Sequence, residues 1–168
     1  MKKLLTITMV IIIIFSLAAC SRKQVSNNEQ NPVGSSSGSN MATRKIEKGT
    51  AIVLKVGDTV IPATLNDSTS SKELLSRLPF TVHLNRFSHD YCGVMENPLK
   101  YDEKDVHYGW MNGDIDFARD GNYFTILFED EEKSKIYGHQ VNLGKVNCDL
   151  SVIKKLGKSI DVRIELAH

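Results

Sequence analysis

The sequence lacks most of the features that directly identify a protein's chemistry. Its 21 Lys and Arg residues nearly balance its 20 Asp and Glu residues, so nothing in its charge suggests a nucleic-acid surface. It has no internal repeat, no Gly-rich phosphate loop, and no long apolar run beyond the one at its start. Only three cysteines and one tryptophan occur among 168 residues. Predictions of function must therefore come from short local patterns.

The apolar run at the start is typical of a cleavable signal. Lys2 and Lys3 precede residues 4–15, an apolar stretch too short to span a bilayer with ordinary flanks. Residues 17–20 (LAAC) resemble the lipobox of bacterial lipoproteins. The resemblance implies cleavage before Cys20 and a diacylglyceryl group on its sulfur, and two or more acyl chains give stable anchoring. An ordinary secretory signal or an N-terminal membrane helix is the alternative.

Composition divides the chain into three parts. Residues 1–19 are the predicted lipoprotein signal peptide, and residues 20–49, rich in Ser, Gly and Asn, are a predicted flexible tether. Residues 50–168 have the length of one domain with a single core. We therefore predict a protein lipid-anchored in the cell envelope on the extracytoplasmic side, with the membrane as a partner through Cys20.

Alternating apolar and polar residues predict a mainly β domain. Many short strands with only two short helices favour a closed or nearly closed antiparallel barrel whose ends the helices plug. The first helix has a capping box at residues 70–73, and Asn147 or Asp149 caps the second. Strands are predicted at residues 51–56, 59–65, 80–86, 91–95, 123–128, 140–144 and 160–166, with a further strand starting near residue 114.

The order of these elements resembles the cyclophilin-like fold, especially a group of small bacterial cyclophilin-like proteins. The stretches that carry the resemblance are residues 78–82 (LPFTV), 113–115 (GDI), 121–128 (GNYFTILF) and 138–146 (GHQVNLGKV). Residues 143–146 (LGKV) are the most specific, since true cyclophilins have a similar Phe-Gly-Lys-Val before a helix. The resemblance implies this fold for residues 50–168 and raises prolyl isomerisation as a hypothesis.

The positions that match the cyclophilin proline pocket differ from the family's pattern. Thr125 stands where the resemblance implies Phe, Lys135 falls near an implied Trp, and Gln140 stands where the pocket His is implied, with His139 one residue away. Arg86 is the candidate for the family's catalytic arginine. The alternative is an arginine at the barrel rim, with a packed stem and a solvated guanidinium.

We therefore predict that Arg86, Thr125 and Gln140 line one polar groove, with Thr125 and Gln140 on neighbouring strands. Such a groove has donors suited to a carbonyl or carboxylate of a peptide, protein or small-molecule ligand. The leading hypothesis is a tethered binding module without efficient prolyl isomerase activity. The alternative is a weak peptidyl-prolyl cis-trans isomerase or a folding helper for secreted proteins. We predict no cofactor and no nucleic-acid partner.

A metal site is not predicted, because His83 and His89 lie about 20 Å apart if the strand stays extended. His107, His139 and His168 are predicted to be solvated or locally hydrogen-bonded. Cys92 and Cys148 could pair outside the cytoplasm, but the sequence does not show that their backbones approach each other.

Two further pairs of residues leave alternatives open. Asp114 and Asp116 share a face at a strand start, which suits acid-base chemistry, although solvated turn carboxylates are far commoner. Tyr108 and Trp110 are either aromatics that cap the core or the wall of a ligand site.

Overall fold

A computed structural model of the protein describes residues 41, 42, 44 and 46–168. The predicted signal peptide and Cys20 lie outside these residues. Within the described part of the chain, no helix combines the length and apolar character needed to cross a membrane.

The strands and helices follow the order that the sequence predicts. Gly57, with a φ of +54°, makes the turn of the opening hairpin, a conformation that glycine adopts at little cost. The elements are β1 (Thr50–Val56), β2 (Thr59–Leu65), α1 (Thr69–Ser76), β3 (Phe80–Arg86), β4 (Asp90–Val94), β5 (Val106–His107), β6 (Asp114–Ala118), β7 (Tyr123–Leu127), β8 (Gln140–Val146), α2 (Leu150–Lys154) and β9 (Ser159–Leu166), with short 3-10 turns at Glu103–Asp105 and Glu131–Ile136.

Eight of these strands form a closed antiparallel barrel. The strand order is β2-β1-β9-β3-β4-β7-β6-β8, and β8 returns to β2 through the pairs Ala63 with Val146, Thr64 with Lys145 and Leu65 with Gly144. The two-residue strand β5 pairs with the other end of β8, where Val106 is opposite Val141. The predicted fold class is confirmed.

Alternate residues of the strands fill the barrel. The two helices close opposite ends, because α1 joins the end of β2 to the start of β3, while α2 joins the end of β8 to the start of β9. Each helix contributes one fully buried apolar side chain, Leu74 in α1 and Ile153 in α2. The barrel interior contains, among others, Ile52, Leu54, Ile61, Leu65, Val82, Leu84, Tyr91, Ile115, Phe117, Phe124, Ile126, Val141, Leu143, Val162 and Ile164.

One helix cap differs from the prediction. The hydroxyl of Ser68, two residues before the predicted cap, accepts from the Ser71 N–H at 3.2 Å, so α1 starts earlier. Ser70 and Ser71 therefore belong to the first turn of α1, and both are buried. Glu73, the last residue of the predicted capping box, accepts hydrogen bonds from Arg77 and from the Lys100 N–H instead. Asp149 caps α2, as one of the two predicted alternatives.

Candidate binding site on the outer face of the barrel

A row of polar side chains crosses the outer face of five consecutive strands. Asn85 of β3 is opposite Cys92 of β4, Cys92 is opposite Thr125 of β7, Thr125 is opposite Asp116 of β6, and Asp116 is opposite Asn142 of β8. Directly opposed residues of antiparallel strands project to the same face of the sheet. Their sequence neighbours belong to the core, so this polar row points outward.

The centre of the polar row is buried although it faces away from the barrel interior. Thr125 is 4% exposed, Asp116 0% and Asn142 9%. Strands β5 and β6 lie on opposite sides of β8, so the connection at residues 108–113 must cross β8. This connection lies over the outer face, because the core fills the inner one.

Trp110 anchors the crossing connection. It is 3% exposed, stacks on His89 with ring centroids 4.8 Å apart, and packs against Tyr137 at 5.2 Å. Its indole Nε1 donates to the Glu129 carbonyl oxygen at 2.9 Å. Trp110 is therefore buried, as expected for an aromatic residue that caps the core. Tyr108, the other aromatic residue of this pair, remains 37% exposed.

Asp116 lies at the middle of the row and is incompletely hydrogen-bonded. Its Oδ1 accepts from Asn142 Nδ2 at 2.8 Å, and its backbone carbonyl accepts from the Thr125 hydroxyl at 3.2 Å. Asn66, at the end of β2, donates to the Asn142 carbonyl oxygen at 2.7 Å and so extends the network. The Oδ2 atom of Asp116 has no hydrogen-bond partner among the described residues.

His107 adds further unpaired polar atoms to the same face. It is opposite Gln140, which in turn is opposite Ala118 of β6, so these side chains lie beside the polar row. His107 is 7% exposed, and neither ring nitrogen has a partner with hydrogen-bond geometry in the described part of the chain. Each buried polar atom left unpaired costs about 1–3 kcal/mol.

Asp114 lies two residues before Asp116 in β6 and is paired with the cation of Arg44. It is 2% exposed, and its Oδ2 accepts from the Met111 N–H at 2.7 Å. Its Oδ1 accepts from Nε of Arg44 at 2.6 Å. The solvated-turn interpretation of Asp114 and Asp116 is therefore wrong, because both carboxyl groups are buried and Asp114 is also paired with Arg44.

Burial raises the pKa values of both Asp114 and Asp116. Desolvation raises the pKa of Asp116 well above its usual value, and the negative charge of Asp114 adds to this, while Asn142 and Arg44 act in the opposite direction. Burial also raises the pKa of Asp114, although the Met111 N–H and Arg44 stabilise its carboxylate.

Burial likewise lowers the pKa of His107, while contacts with the backbone of Tyr108 and the charge of Asp114 act the other way. The burial of His107 corrects the solvated alternative in the prediction that this residue is solvated or locally hydrogen-bonded. Across the described residues, no group of three or more His, Cys, Asp or Glu side chains is placed to hold a metal ion.

Comparison with known proteins now identifies the family. A profile described as the cyclophilin-like family matches residues 54–165. The chain belongs to the cyclophilin-like family. The match covers every strand of the barrel at least in part and includes the whole polar row, so the resemblance noted from the sequence is confirmed for the fold.

One solved structure illustrates how this cyclophilin-like barrel is shared. The solution structure of the hypothetical protein AF2241 from Archaeoglobus fulgidus superposes with a TM-score of 0.58 at 14% identity, covering 72% of this chain and 98% of that one. A similarity at this level of identity concerns the fold alone. A comparison with curated proteins gives no match.

The barrel brings together two of the three residues predicted to line a groove. Thr125 and Gln140 both project from the outer face, but β6 lies between their strands, so they are not on neighbouring strands. Arg86 is opposite Tyr91, whose side chain is in the core, so Arg86 and Thr125 project from opposite faces of the sheet. Ligand binding by these residues stays a prediction.

Arg86 is occupied by contacts within the barrel. Its guanidinium carbon lies 5.1 Å from the ring centroid of Phe128 and 5.8 Å from that of Tyr91. Its Nη1 donates to the carbonyl oxygen of Lys154, at the end of α2, at 2.5 Å. A cation at a helix C-terminus is favourable because the last carbonyl groups carry partial negative charge. These contacts assign Arg86 to holding α2 on the barrel end.

We expect Arg86→Ala to lower the free energy of unfolding by about 1–2 kcal/mol, through loss of the cation-π contacts and the bond to α2. Urea unfolding would measure this. Arg163→Ala is the matched control, since Arg163 forms an exposed ion pair with Glu165 and such pairs contribute little. Equal destabilisation by the two substitutions would contradict this role of Arg86.

The two cysteines of the domain are both free thiols. Cys92 belongs to the polar row, and burial, with a smaller contribution from Asp90, raises the pKa of its thiol to about 12. Since the thiolate is the reactive form, Cys92 is poorly suited to nucleophilic chemistry at neutral pH. Burial also raises the pKa of Cys148.

Proposed function

We propose that this protein is a membrane-tethered, extracytoplasmic binding module of the cyclophilin-like family without efficient prolyl isomerase activity. The observation that carries the proposal is the buried polar face around Asp116. Binding sites place a few polar groups where a ligand can pair with them. Among the described residues, Asp116 Oδ2 and both nitrogens of His107 have no hydrogen-bond partner. A ligand that supplied their partners would recover the free energy that their burial costs.

The residues at the position of the proline pocket support binding over isomerisation. Thr125, which replaces the phenylalanine that the resemblance implies, is 4% exposed and uses its hydroxyl within the sheet. Arg86 projects into the barrel, and its guanidinium is engaged by two rings and the end of α2. Neither residue is free to hold a prolyl peptide.

A protease-coupled assay with a prolyl peptide tests the absence of efficient catalysis. We expect the full chain to leave the isomerisation rate close to the uncatalysed rate. Arg86→Ala is assayed in parallel, after its folding has been checked by circular dichroism. A rate enhancement typical of cyclophilins that disappears in Arg86→Ala would overturn the proposal in favour of the isomerase alternative.

The membrane tether is proposed on the basis of residues 17–20 (LAAC). We expect Cys20→Ser to abolish lipidation, since the substitution removes the thiol that accepts the diacylglyceryl group. Two-phase detergent extraction and intact mass would show this as a shift of the protein to the aqueous phase or as an unprocessed precursor. Finding Cys20→Ser in the membrane with the processed mass of the parent would reject the lipoprotein proposal.

A further inference from the structure

Residues 41, 42 and 44 lie against the crossing connection in the manner of a bound extended peptide. Met41 forms a parallel β-bridge with Tyr108, and the Ala42 N–H donates to the Tyr108 carbonyl oxygen at 2.9 Å. Two residues further on, the side chain of Arg44 reaches Asp114. One backbone hydrogen bond and one anchored side chain are the elements of peptide recognition by strand addition.

Arg44 occupies a site that the domain builds from its own residues. Besides the bond to Asp114, its Nη2 lies 3.1 Å from the carbonyl oxygen of Asn112 and 3.5 Å from that of Met111. We call the Asp114 carboxylate and these two carbonyl groups the guanidinium pocket. The Met111 N–H fixes the carboxylate independently of Arg44, so the acceptors are set by the connection itself.

The surroundings of the guanidinium pocket favour a cation. Asp116 is fully buried, its Oδ2 has no hydrogen-bond partner among the described residues, and it is close enough to Asp114 and Arg44 for both charges to act on it. The Asp114 carboxyl group is 2% exposed and pairs directly with the Arg44 guanidinium. A planar guanidinium donates several hydrogen bonds in a fixed geometry, which suits a carboxylate flanked by carbonyl oxygens.

The described residues 41, 42 and 44 lie at a partly exposed edge of the domain. These residues precede the stretch that matches the cyclophilin-like family, which begins at residue 54. Met41 and Tyr108 are 41% and 37% exposed at the bridge. Segments with few buried contacts open at low free energy, so this one is able to exchange with a competitor.

We propose that the guanidinium pocket and the Tyr108 backbone bind an extended segment of a partner polypeptide that carries an arginine, and that residues 41, 42 and 44 occupy this groove as a competitor in cis. The proposal rests on the proposed binding function and names its ligand class. It also gives the junction between tether and barrel a role, because a partner must displace Arg44 to bind.

Competition in cis has a calculable size. A segment joined by a short flexible linker has an effective concentration on the order of 1 mM. If the segment alone binds with a dissociation constant on the order of 0.1 mM, its presence weakens binding of an external peptide about tenfold. Removing the competing guanidinium should therefore strengthen binding about tenfold.

Fluorescence anisotropy with the full chain in detergent tests the proposal. The probe is a fluorescein-labelled peptide with the sequence of residues 41–46, Met-Ala-Thr-Arg-Lys-Ile, and a second probe carries citrulline in place of arginine. The proteins are the parent, Arg44→Ala and Arg119→Ala. Arg119 is a matched control, since it forms an ion pair with Glu103 and its side chain is 26% exposed, compared with 22% for Arg44.

We expect Arg44→Ala to bind the arginine peptide about tenfold more tightly than the parent and Arg119→Ala do. We also expect Arg44→Ala to bind the citrulline peptide at least tenfold more weakly than it binds the arginine peptide. Adding Asp114→Asn to Arg44→Ala should abolish the gain. Arg44→Gln, which keeps more of the side chain, repeats the test if Arg44→Ala does not fold. Equal affinities for all three proteins, or for the two peptides, would overturn the proposal.

One further probe tests whether an extended peptide is required. N-acetyl-arginine methylamide carries the guanidinium without neighbouring residues, and we expect it to bind Arg44→Ala more weakly than the peptide does. Equal affinity would overturn the peptide part of the proposal. Isomerase activity is measured on the same proteins: activity with peptide binding rejects the proposed lack of catalysis alone, whereas no binding and no activity rejects the guanidinium pocket alone.

Discussion

Gly144→Ala is expected to destabilise the barrel by about 3 kcal/mol, at the upper end of what overpacking costs. Gly144 lies on β8 opposite Leu65 of β2, in the pairing that closes the barrel. A Cβ atom there would overlap the Thr64 carbonyl oxygen and lie 2.8 Å from Leu65 Cα. Since both atoms belong to the backbone, the substitution can be accommodated only if β2 and β8 separate.

Urea unfolding of Gly144→Ala and Gly157→Ala separates this effect from the general cost of replacing glycine. The nearest atoms to a Cβ at Gly157 are 3.7 and 3.9 Å away, which is ordinary contact, so Gly157→Ala should stay within about 0.5 kcal/mol of the parent. A loss for Gly144→Ala no larger than that for Gly157→Ala would show that β2 and β8 do not need this close approach.

The same glycine shows why much of the fold could be predicted from the sequence. Residues 143–146 (LGKV) carry the most specific resemblance to cyclophilins, and Gly144 within them lies where a Cβ atom would overlap the backbone of the neighbouring strand. Alternation also predicts the strands, because a barrel buries every second residue, as at Ile160, Val162 and Ile164 of β9. The LGKV stretch and the alternation are local patterns, so they can be detected without knowledge of the tertiary structure.

The site could be predicted only in part, because its burial depends on distant residues. Alternation places Asp116 on the face opposite Ile115 and Phe117, which normally means solvent. The crossing connection lies over this outer face, and the crossing depends on β5, a strand of two residues that has no periodicity to detect. The shared face of Asp114 and Asp116 was the one available signal.

Three other residues, Arg86, Thr125 and Arg44, show where sequence reasoning was incomplete. Alternation in β3 already directs Arg86 inward, together with Val82 and Leu84, while alternation in β7 directs Thr125 outward. Parity alone therefore argues against a groove shared by these two residues. Arg44 had no comparable signal, since it lies in the polar stretch predicted as a tether, and only its contact with Asp114 distinguishes it from neighbouring basic residues.

Asp116→Asn is expected to change how the stability of the protein depends on pH. Burial raises the pKa of Asp116 in the folded state, so the folded protein keeps a proton that the unfolded chain releases above its ordinary pKa of about 4. The contribution of Asp116 to the free energy of unfolding is therefore fully present below that pH. This contribution is lost as the pH rises toward the folded-state pKa. Asparagine keeps the side-chain shape and the acceptor for Asn142 but does not ionise.

The free energy of unfolding of Asp116→Asn, relative to the parent, should therefore rise steadily between pH 4 and pH 8. Asp90 and Asp114, whose pKa values burial also raises, are present in both proteins, so their direct contributions largely cancel in the difference. Asp58→Asn, in the exposed turn between β1 and β2, controls for the loss of one carboxyl group. Urea unfolding at several pH values measures all three proteins.

A difference between Asp116→Asn and the parent that stays constant with pH would mean that Asp116 is ionised in the folded barrel. The buried outer face would then already hold a charge without a ligand to balance it.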